Sequence, residues 1–255
     1  MRWNRKSPKD TALEGNIDFV LVDSDKEGSF LEVKRAIDII PEWYKDLPGL
    51  ALLRENDTKK DLTAKRCIPI LDAFSSGYLL VTTEDYVFSK IEDGYKFTGS
   101  KNVATKAIGM HPWTQLGDIK LSEELIPYAF KWGNPYLIKT PPGYSCMFTH
   151  PLNYFDLPFH TMSGVVDTDN YIMPVLFPFM MKNNFEGLIP KGTPVIQVIP
   201  FKRDNWKSNI YDKVSPVFKT KKEDFRMDYE SERYVDGEAS GGMYKRDYRK
   251  KKRYM

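Results

Sequence analysis

The chain shows two different patterns of apolar and polar positions. Between residues 67 and 205, short runs of apolar and aromatic residues alternate with turns rich in proline, glycine and aspartate. Runs of four to eight such residues are typical of β-strands. After Trp206, aliphatic residues become scarce and charged residues frequent, a composition that favours an extended segment over a packed core. The pattern therefore predicts a β-rich core followed by a charged C-terminal arm.

At least eight strands are predicted from these runs. Glu92-Asp93-Gly94 between two of them is a strong hairpin signal, because aspartate and glycine adopt the backbone that tight turns need. Pro174, Pro178 and Pro194 are expected on edge strands or at bulges, since proline cannot donate a ladder hydrogen bond. The predicted strands span residues Ile17–Val22, Tyr78–Thr83, Tyr86–Ile91, Tyr95–Thr98, Tyr136–Lys139, Tyr144–Thr149, Val165–Asp167, Ile172–Phe177 and Val195–Phe201.

The short and even spacing of the strands predicts an antiparallel sandwich or barrel rather than a βαβ fold. We expect this β-sandwich core at 67–205, and we expect residues 1–66 to form an N-terminal extension packed on it. In that extension Pro41 is expected to open a short helix, residues 30–40 fit helix and strand in part, and residues 54–66 form a charged connector. Residues 206–255 are the predicted arm.

Composition excludes several classes of protein. No window approaches 18 consecutive apolar residues, which excludes a membrane-spanning helix. The first residues are basic but lack the apolar run of a secretory signal. Cys67 and Cys146 provide neither a disulfide framework nor a four-cysteine zinc site, and we expect two buried thiols, with a single disulfide as the alternative. The predicted location is the host cytoplasm or a virion.

The charge is concentrated at the end of the chain. The net charge is +3, but the last eleven residues, KRDYRKKKRYM, hold seven Lys or Arg and one Asp, so the rest of the chain carries 3 − 6 = −3. A basic run interleaved with tyrosines suits phosphate backbones and base stacking, and the alternative is a solvated terminus. The residues predicted to contact nucleic acid or a protein partner are Lys245, Arg246, Arg249, Lys250, Lys251, Lys252 and Arg253.

Three motifs between residues 140 and 201 occur in the order and spacing of one enzyme family. They are TPPGYSCMFTHPLN, GVVDTDNY and LIPKGTPVIQVIPF. Together they resemble the dUTPase and dCTP-deaminase family, whose members are trimers with a distorted β-sandwich, or β-clip. The resemblance covers about sixty residues, a quarter of the chain, and implies a dUTPase-like fold.

The resemblance also implies roles for individual residues. Asp167 falls where the family places the carboxylate that orients or activates the attacking water. Tyr171 falls near the aromatic residue that packs against deoxyribose, although the inserted Asn170 shifts it by one position and so to the other face of a strand. Gln197 matches the glutamine that touches phosphate.

The phosphate-binding part of the resemblance is incomplete. Where the family has an Arg-Ser pair, this chain has Thr149-His150-Pro151, and His150 can replace part of the missing charge only when it is protonated. Gly241 and Gly242 lie in a stretch similar to the family's glycine-rich clamp, in which backbone N–H groups hold phosphate. The alternative, purely structural interpretation is that Asp167 and Asp169 only stabilise a tight turn, as aspartate often does.

A second resemblance covers most of the chain. The segments that carry it are IPEWYKDLPG, KRCIPILDAFSSGYLL, WGNPYLIKTPPGYSCMFTHPLN and GTPVIQVIPFKR. They are similar to an uncharacterised family of tailed-phage and bacterial proteins. That similarity implies that the segments belong to one folded protein, and it implies no activity.

The three histidines, His111, His150 and His160, lie within fifty residues of one another. A β-sandwich with three histidines suggests a metal-dependent oxygenase, with Asp156 or Asp167 as the carboxylate ligand. The usual triad begins with His-x-Asp or His-x-Glu, which does not occur here, so structural histidines and no metal site are expected.

These observations leave three hypotheses from different classes. The first is a non-enzymatic β-sandwich binding or structural protein of phage type, forming a homo-oligomer or larger assembly, whose arm contacts a neighbouring subunit or nucleic acid. The second is an atypical dUTPase-like enzyme that binds or hydrolyses nucleotides and would use Mg²⁺. The third is the histidine-based metal enzyme. No cofactor is expected under the first hypothesis.

Overall fold

The computed structural model describes residues 15–22, 31–52, 60–99, 107–111, 116–117 and 119–211, with a few positions beyond them (219, 223, 234–235, 238–239, 249–250 and 254). In this part the chain is mainly β, and the paired strands run antiparallel. The predicted β class is therefore confirmed, while its dUTPase-like character stays a prediction. No helix among the described residues is long and apolar enough to cross a membrane.

The described elements are short. In the first half of the chain they are β1 (Asp18–Leu21), β2 (Leu31–Arg35), α1 (Glu42–Asp46), β3 (Leu50–Leu52), β4 (Lys60–Leu62), α2 (Ile68–Phe74), β5 (Tyr78–Thr82), β6 (Tyr86–Ile91), β7 (Gly94–Gly99) and β8 (Ile108–Met110). In the second half they are β9 (Phe130–Trp132), β10 (Tyr136–Lys139), β11 (Tyr144–Thr149), β12 (Phe159–Thr161), β13 (Gly164–Val166), β14 (Phe177–Met181), β15 (Gly187–Ile189), β16 (Pro194–Lys202), β17 (Tyr234–Val235) and β18 (Glu238–Ala239).

The chain divides into two compact units. The first contains residues 1–39 and 77–203, and the second contains residues 40–76 and 204–255. The C-terminal segment thus belongs to a unit that also contains residues 40–76. The predicted boundaries at 66 and 205, and the predicted arm, stay predictions.

The largest sheet of the first unit has the strand order β13-β11-β16-β5-β2. β11 lies between β13 and β16, with Ser145 opposite Phe201 and Thr149 opposite Gln197. Because side chains alternate along a strand, Cys146 and Phe148 point to one face while Ser145 and Thr149 point to the other. The residues of the acidic turn and of the dUTPase resemblance considered below lie on this strand, on its neighbours or in the turns next to them.

An aromatic core lies between this sheet and a four-stranded sheet of order β12-β14-β9-β8. Trp132 is fully buried and stacks on Phe179 with 4.5 Å between ring centroids. Phe148 of the larger sheet stacks on Phe177 of the smaller one at 5.6 Å. Offset and edge-to-face ring pairs of this kind add to the hydrophobic stabilisation of a core. The aromatic residues between 127 and 159 therefore include several core residues.

Two smaller sheets, β15-β6-β7 and β1-β10, also belong to the first unit.

A glycine is required where the chain enters β5. Gly77 has φ +70, and a Cβ at this position would lie 2.0 Å from the carbonyl oxygen of Val198. Both the left-handed backbone and this close approach exclude a side chain.

The second unit is built around rings and short helices. Trp43 and Tyr44 of α1 contact Phe74 of α2, with ring centroids 5.8 and 4.8 Å away. The ammonium of Lys65 lies 5.1 Å from the centre of the Tyr44 ring and donates to the carbonyl oxygens of Tyr44 and Lys45. The predicted helix after Pro41 is confirmed, with Pro41 as its N-cap.

Several predicted strands are confirmed within a residue or two. They are those that correspond to β1, β5, β6, β7, β10, β11, β13 and β16. The bulge expected at Pro194 is present as a register shift between Pro194 and Ile196. Pro178, by contrast, lies in β14, which has neighbours on both sides, and its carbonyl accepts a hydrogen bond from the N–H of Met162.

Other predictions were wrong. The strand expected at Ile172–Phe177 begins only at Phe177, because Pro174 cannot donate in a ladder, and Ile172 and Met173 are exposed. Residues 68–74 form a helix inside the region predicted to be β-rich, with a proline in its first turn. Part of the connector expected at 54–66 is the strand β4. Cys67 is exposed rather than buried. The strands β3, β8, β9, β12, β15, β17 and β18 were not predicted.

Candidate functional site

A polar cluster lies at the N-terminal end of β11. Its members, Ser145, Asp167, Asp169 and Arg203, are called the acidic-turn cluster here. Ser145 is the second residue of β11, Asp167 and Asp169 lie in the turn that follows β13, and Arg203 follows the last residue of β16. Three neighbouring strands therefore bring four polar side chains together at one end of the strands.

Asp169 and Arg203 form the centre of the acidic-turn cluster. Nη1 of Arg203 lies 2.9 Å from Oδ1 of Asp169, and Nη2 bonds Oδ2. The N–H of Gly143 donates to the same carboxylate at 2.9 Å. The side chain of Asp169 is 7% exposed and that of Arg203 is 36% exposed. Such a two-pronged pair fixes both position and orientation of the two groups.

Asp167 is held at the outer side of the acidic-turn cluster. Its Oδ1 accepts a hydrogen bond of 2.6 Å from the hydroxyl of Ser145, and it lies 3.3 Å from Nη1 of Arg203. Its side chain is 62% exposed. Asp167 is therefore bonded outside its own turn and next to a cation.

Backbone and side-chain hydrogen bonds hold the turn in place. The carbonyl of Asp167 accepts from the N–H groups of Asn170 and Tyr171 at 3.0 and 2.9 Å. The hydroxyl of Thr168 lies 2.7 Å from that of Thr140 and 3.4 Å from the sulfur of Cys146. Hydrogen bonds within the turn thus explain part of how the two aspartates are held in place, and their contacts with Arg203 explain the rest.

The charges of the acidic-turn cluster are balanced internally. The hydrogen bond from Arg203 lowers the pKa of Asp169 to about 2, against the opposing effect of burial, and the N–H of Gly143 adds to the lowering. The same contact raises the pKa of Arg203. Two carboxylates already face the guanidinium, and its Nη1 also donates to the carbonyl of Tyr144 and to Ser145. The charge and the hydrogen-bond donors of Arg203 are thus largely used within the protein.

The other end of β11 is buried and neutral. Gln197, opposite Thr149, is fully buried, and its Oε1 accepts a hydrogen bond of 2.9 Å from the N–H of Leu152. The hydroxyl of Thr149 lies 2.9 Å from that of Ser163. Gln197 therefore holds the loop that follows β11, and its amide oxygen is engaged there.

His150 is bonded through both ring nitrogens. Nδ1 accepts from the N–H of Thr161 at 3.3 Å, and Nε2 lies 3.3 Å from the carbonyl of Tyr154. Burial, together with a smaller effect of the neighbouring His160 at 4.7 Å between ring centroids, lowers the pKa of His150 to about 4. A ring that accepts at one nitrogen and donates at the other is a neutral imidazole. His150 is therefore uncharged at pH 7 and does not supply the cation that the phosphate motif lacks.

The residues assigned by the dUTPase resemblance do not converge. Asp167 is bonded to Ser145 and Gln197 pairs with Thr149, four residues further along β11, which corresponds to about 13 Å along a strand. Tyr171 is 45% exposed, at the start of the irregular stretch after the turn. Asp167 and Arg203 come together, whereas Gln197 and His150 belong to the buried end.

Most of the predicted tail lies outside the described residues. The residues outside the described part are Gly241, Gly242, Lys245, Arg246, Lys251, Lys252 and Arg253. Lys250 is described and exposed. Arg249 is half-buried, and its Nη2 lies 2.5 Å from Oδ1 of Asp72 in α2.

No group of three or more His, Cys, Asp or Glu side chains suited to a metal ion occurs among the described residues. His150 and His160 are neighbours, but the two nitrogens of His150 already have backbone partners. A ligand histidine needs one free nitrogen for the metal. The metal-enzyme hypothesis gains no support from this pair.

Sequence reasoning missed Ser145, Arg203 and Asp72. Ser145 is one polar residue in an alternating strand, and Arg203 is one basic residue after a strand, so neither is distinctive by itself. Their partners lie 22 and 34 residues away in the sequence. Only the register of β11 against β13 and β16 brings them together.

No protein-family model matches the chain, and no curated protein sequence matches it. The acidic-turn cluster must therefore be interpreted from its own geometry. The hydroxyl of Ser145 donates to one carboxylate and accepts from Arg203, an arrangement that bridges two charges. A nucleophilic serine also needs an open approach for its substrate, whereas Ser145 is fully buried.

Proposed function

We propose that this chain is a non-enzymatic β-sheet protein with a binding or structural role. In this proposal it forms a homo-oligomer or larger assembly through its C-terminal segment. The acidic-turn cluster has a positioning role. It fixes the end of β16, from which the C-terminal segment continues.

One observation carries the proposal. Directly after Arg203, residues 204–211 are all exposed, and they include three large apolar side chains. Trp206 is 88% exposed, Ile210 92% and Tyr211 77%. Large apolar side chains exposed this close together are typical of an interaction surface, because each leaves favourable burial unused. Trp and Tyr are also the side chains that most often dominate protein interfaces.

The internal hydrogen bonds and ion pairs of the polar residues support a non-enzymatic role. Arg203 is neutralised by two aspartates, and Gln197 and His150 form internal hydrogen bonds at the buried end of β11. A triphosphate would need cationic groups that are free to face it. The nucleotide-enzyme alternative retains one favourable observation, the 3.3 Å contact between Asp167 and Arg203.

Sedimentation velocity over a range of protein concentrations tests the proposal. We expect self-association in the full chain and about a thirtyfold increase of its Kd for Trp206→Ser, as for loss of a central interface residue. Asn209→Ser is the matched control, since it changes an exposed polar side chain of the same segment. A monomer at all concentrations, or equal effects of the two variants, would overturn the subunit-contact proposal.

A further inference from the structure

The two edge strands of the five-stranded sheet differ in their exposed side chains. Among the described strands, β2 and β13 each have a single neighbour in this sheet. β2 carries the exposed ion pair of Glu32 and Lys34, followed by Arg35. Charged side chains of this kind protect an edge from pairing with another strand. β13, with the sequence Gly-Val-Val, holds no charged residue within the strand. It is therefore the less protected edge of the sheet.

The outward-facing side chains along β13 follow a polar, apolar, polar order. Ser163, just before the strand, contacts Thr149 of β11, and Asp167, just after it, contacts Ser145. Val165 lies midway between them, so strand alternation places all three side chains on the same face. Ser163 is exposed, and Val165 and the side chain of Asp167 are each 62% exposed. The edge thus presents a hydroxyl, an apolar side chain and a carboxylate.

This order is self-complementary in one register. An antiparallel pair of β13 strands about a twofold axis at Val165 places each Val165 beside its counterpart, and Ser163 of each copy opposite Asp167 of the other. A hydroxyl donor then faces a carboxylate at both ends of the pair. The two carboxylates lie four residues apart along the strands, or about 13 Å. Parallel pairing in register would instead place the like charges side by side, which is unfavourable.

The same register continues an apolar row across the sheet. Val165, Met147 and Ile199 lie opposite one another on β13, β11 and β16. Met147 and Ile199 are half-buried, so the exposure of the row is greatest at Val165. Twofold pairing joins this row to the same row of a second copy and buries the most exposed member against an apolar side chain.

We propose that β13 is an isologous interface, at which a second copy of this chain adds its own β13 and extends the five-stranded sheet. This inference rests on the proposed function in that the chain self-associates, and it adds a contact separate from the C-terminal segment. The occupant is a second copy because the order of Ser163, Val165 and Asp167 matches itself in both charge and apolar character.

A cysteine cross-link tests the register of this interface. Residues directly opposite each other have Cβ atoms about 4.5 to 5.5 Å apart, close to the separation in a disulfide. In a Cys67→Ser background, which removes the exposed native thiol, Val165→Cys is oxidised with diamide and the dimer is measured by non-reducing gel electrophoresis. Val87→Cys is the matched control, because Val87 is 42% exposed on β6, a strand with a neighbour on each side. We expect dimer formation about tenfold faster for Val165→Cys, since pairing raises the effective concentration of the second thiol.

Sedimentation velocity provides an independent measurement. Val165→Lys places two ammonium groups at the centre of the interface, and we expect the Kd of self-association to rise about tenfold. Val87→Lys, the matched control, should leave the Kd unchanged. Equal cross-linking rates for the two cysteine variants, or equal Kd values for the two lysine variants, would overturn the β13 interface. Circular dichroism of every variant confirms that it is folded.

The two contacts fail separately in these experiments. Self-association that is weakened by Trp206→Ser and indifferent to Val165→Lys would overturn the β13 interface and leave the proposed function standing. The opposite result would support the β13 interface and overturn the contact through the C-terminal segment. A chain that is monomeric at all concentrations would overturn both.

Discussion

The two ends of β11 use polar residues in opposite ways. At its start, Ser145, Asp167, Asp169 and Arg203 form a charged cluster that is partly open to solvent. At its end, Gln197 and His150 form neutral hydrogen bonds in a buried setting. One strand of six residues thus carries an exposed ionic arrangement and a buried uncharged one.

This difference explains why the candidate nucleotide site is divided. A site for a triphosphate needs a carboxylate, a cation and a polar amide that face one ligand. Here the carboxylate and the cation lie at one end of β11, and the amide lies at the other. The comparison teaches that residues with the right order and spacing in sequence can serve two separate structural roles.

Removal of the Gln197 side chain should have the largest effect at the buried end. Gln197→Ala leaves the N–H of Leu152 without its acceptor and creates a cavity beside β5, so we expect a loss of about 3 kcal/mol in the free energy of unfolding. Urea denaturation measures this loss. A loss below about 1 kcal/mol would show that the loop 150–157 does not depend on this bond.

Acid should destabilise the buried end through His150. Its folded-state pKa of about 4 lies below the ordinary value of 6.5, so the unfolded chain binds more protons between these values. Stability contributed by neutral His150 is therefore present above pH 6.5 and is lost as the pH falls towards 4, by up to about 3 kcal/mol. Coulombic effects of His160 and Lys182 on the pKa of His150 act in the same direction.

A pH series of urea denaturation for the wild type and His150→Gln tests this. Glutamine keeps a donor and an acceptor but does not titrate in this range, so the stability of the variant should vary less between pH 6.5 and 4. Parallel curves for the two proteins would contradict the buried neutral histidine.

The effects at the charged end should be smaller and unequal. Asp169→Asn removes a nearly buried carboxylate that accepts from Arg203 and Gly143, and we expect the Tm to fall by about 2 to 4 °C. Asp167→Asn is the matched control two residues away. Because its side chain is 62% exposed, we expect a change below about 1 °C. Calorimetry of both variants measures the difference, and equal shifts would mean that the two carboxylates are equivalent.

The pH dependence of Asp169 has its own window. Its folded-state pKa of about 2 lies below the ordinary value of 3.8, so its stabilisation is present above about pH 4 and is lost as the pH falls towards 2. The difference in stability between the wild type and Asp169→Asn should therefore shrink across this range. A constant difference would indicate that the carboxylate acts through something other than its charge.

The fold was predictable where local signals were strong. The hairpin at Glu92-Asp93-Gly94 combines two alternating runs with a turn that only certain residues allow, and β6 and β7 lie there. The prediction for residues 68–74 was wrong because a short apolar run fits a helix and a strand equally well. At Ile172–Phe177 the apolar composition favoured a strand, but Pro174 and the burial available to Phe177–Met181 moved the strand downstream.

The candidate site was predictable only in part. Asp167 stands out because it follows a glycine and two valines in a short hairpin signal. Its partners Ser145 and Arg203 depend on the register of three strands, which a single sequence does not specify. The protonation state of His150 depends on burial and on Thr161, and neither is visible in the pattern around Thr149-His150-Pro151.

Thermal unfolding with deoxynucleoside triphosphates and Mg²⁺ tests the central claim most directly, namely that the acidic-turn cluster positions the chain and does not act on nucleotides. The account predicts the same Tm with and without dUTP or dCTP, for the wild type and for Asp167→Asn. A ligand that binds only the folded state stabilises it by RT ln(1 + [L]/Kd), so the Tm rises with the logarithm of its concentration once that exceeds the Kd. A nucleotide-dependent rise in the wild type that Asp167→Asn abolishes would contradict the account.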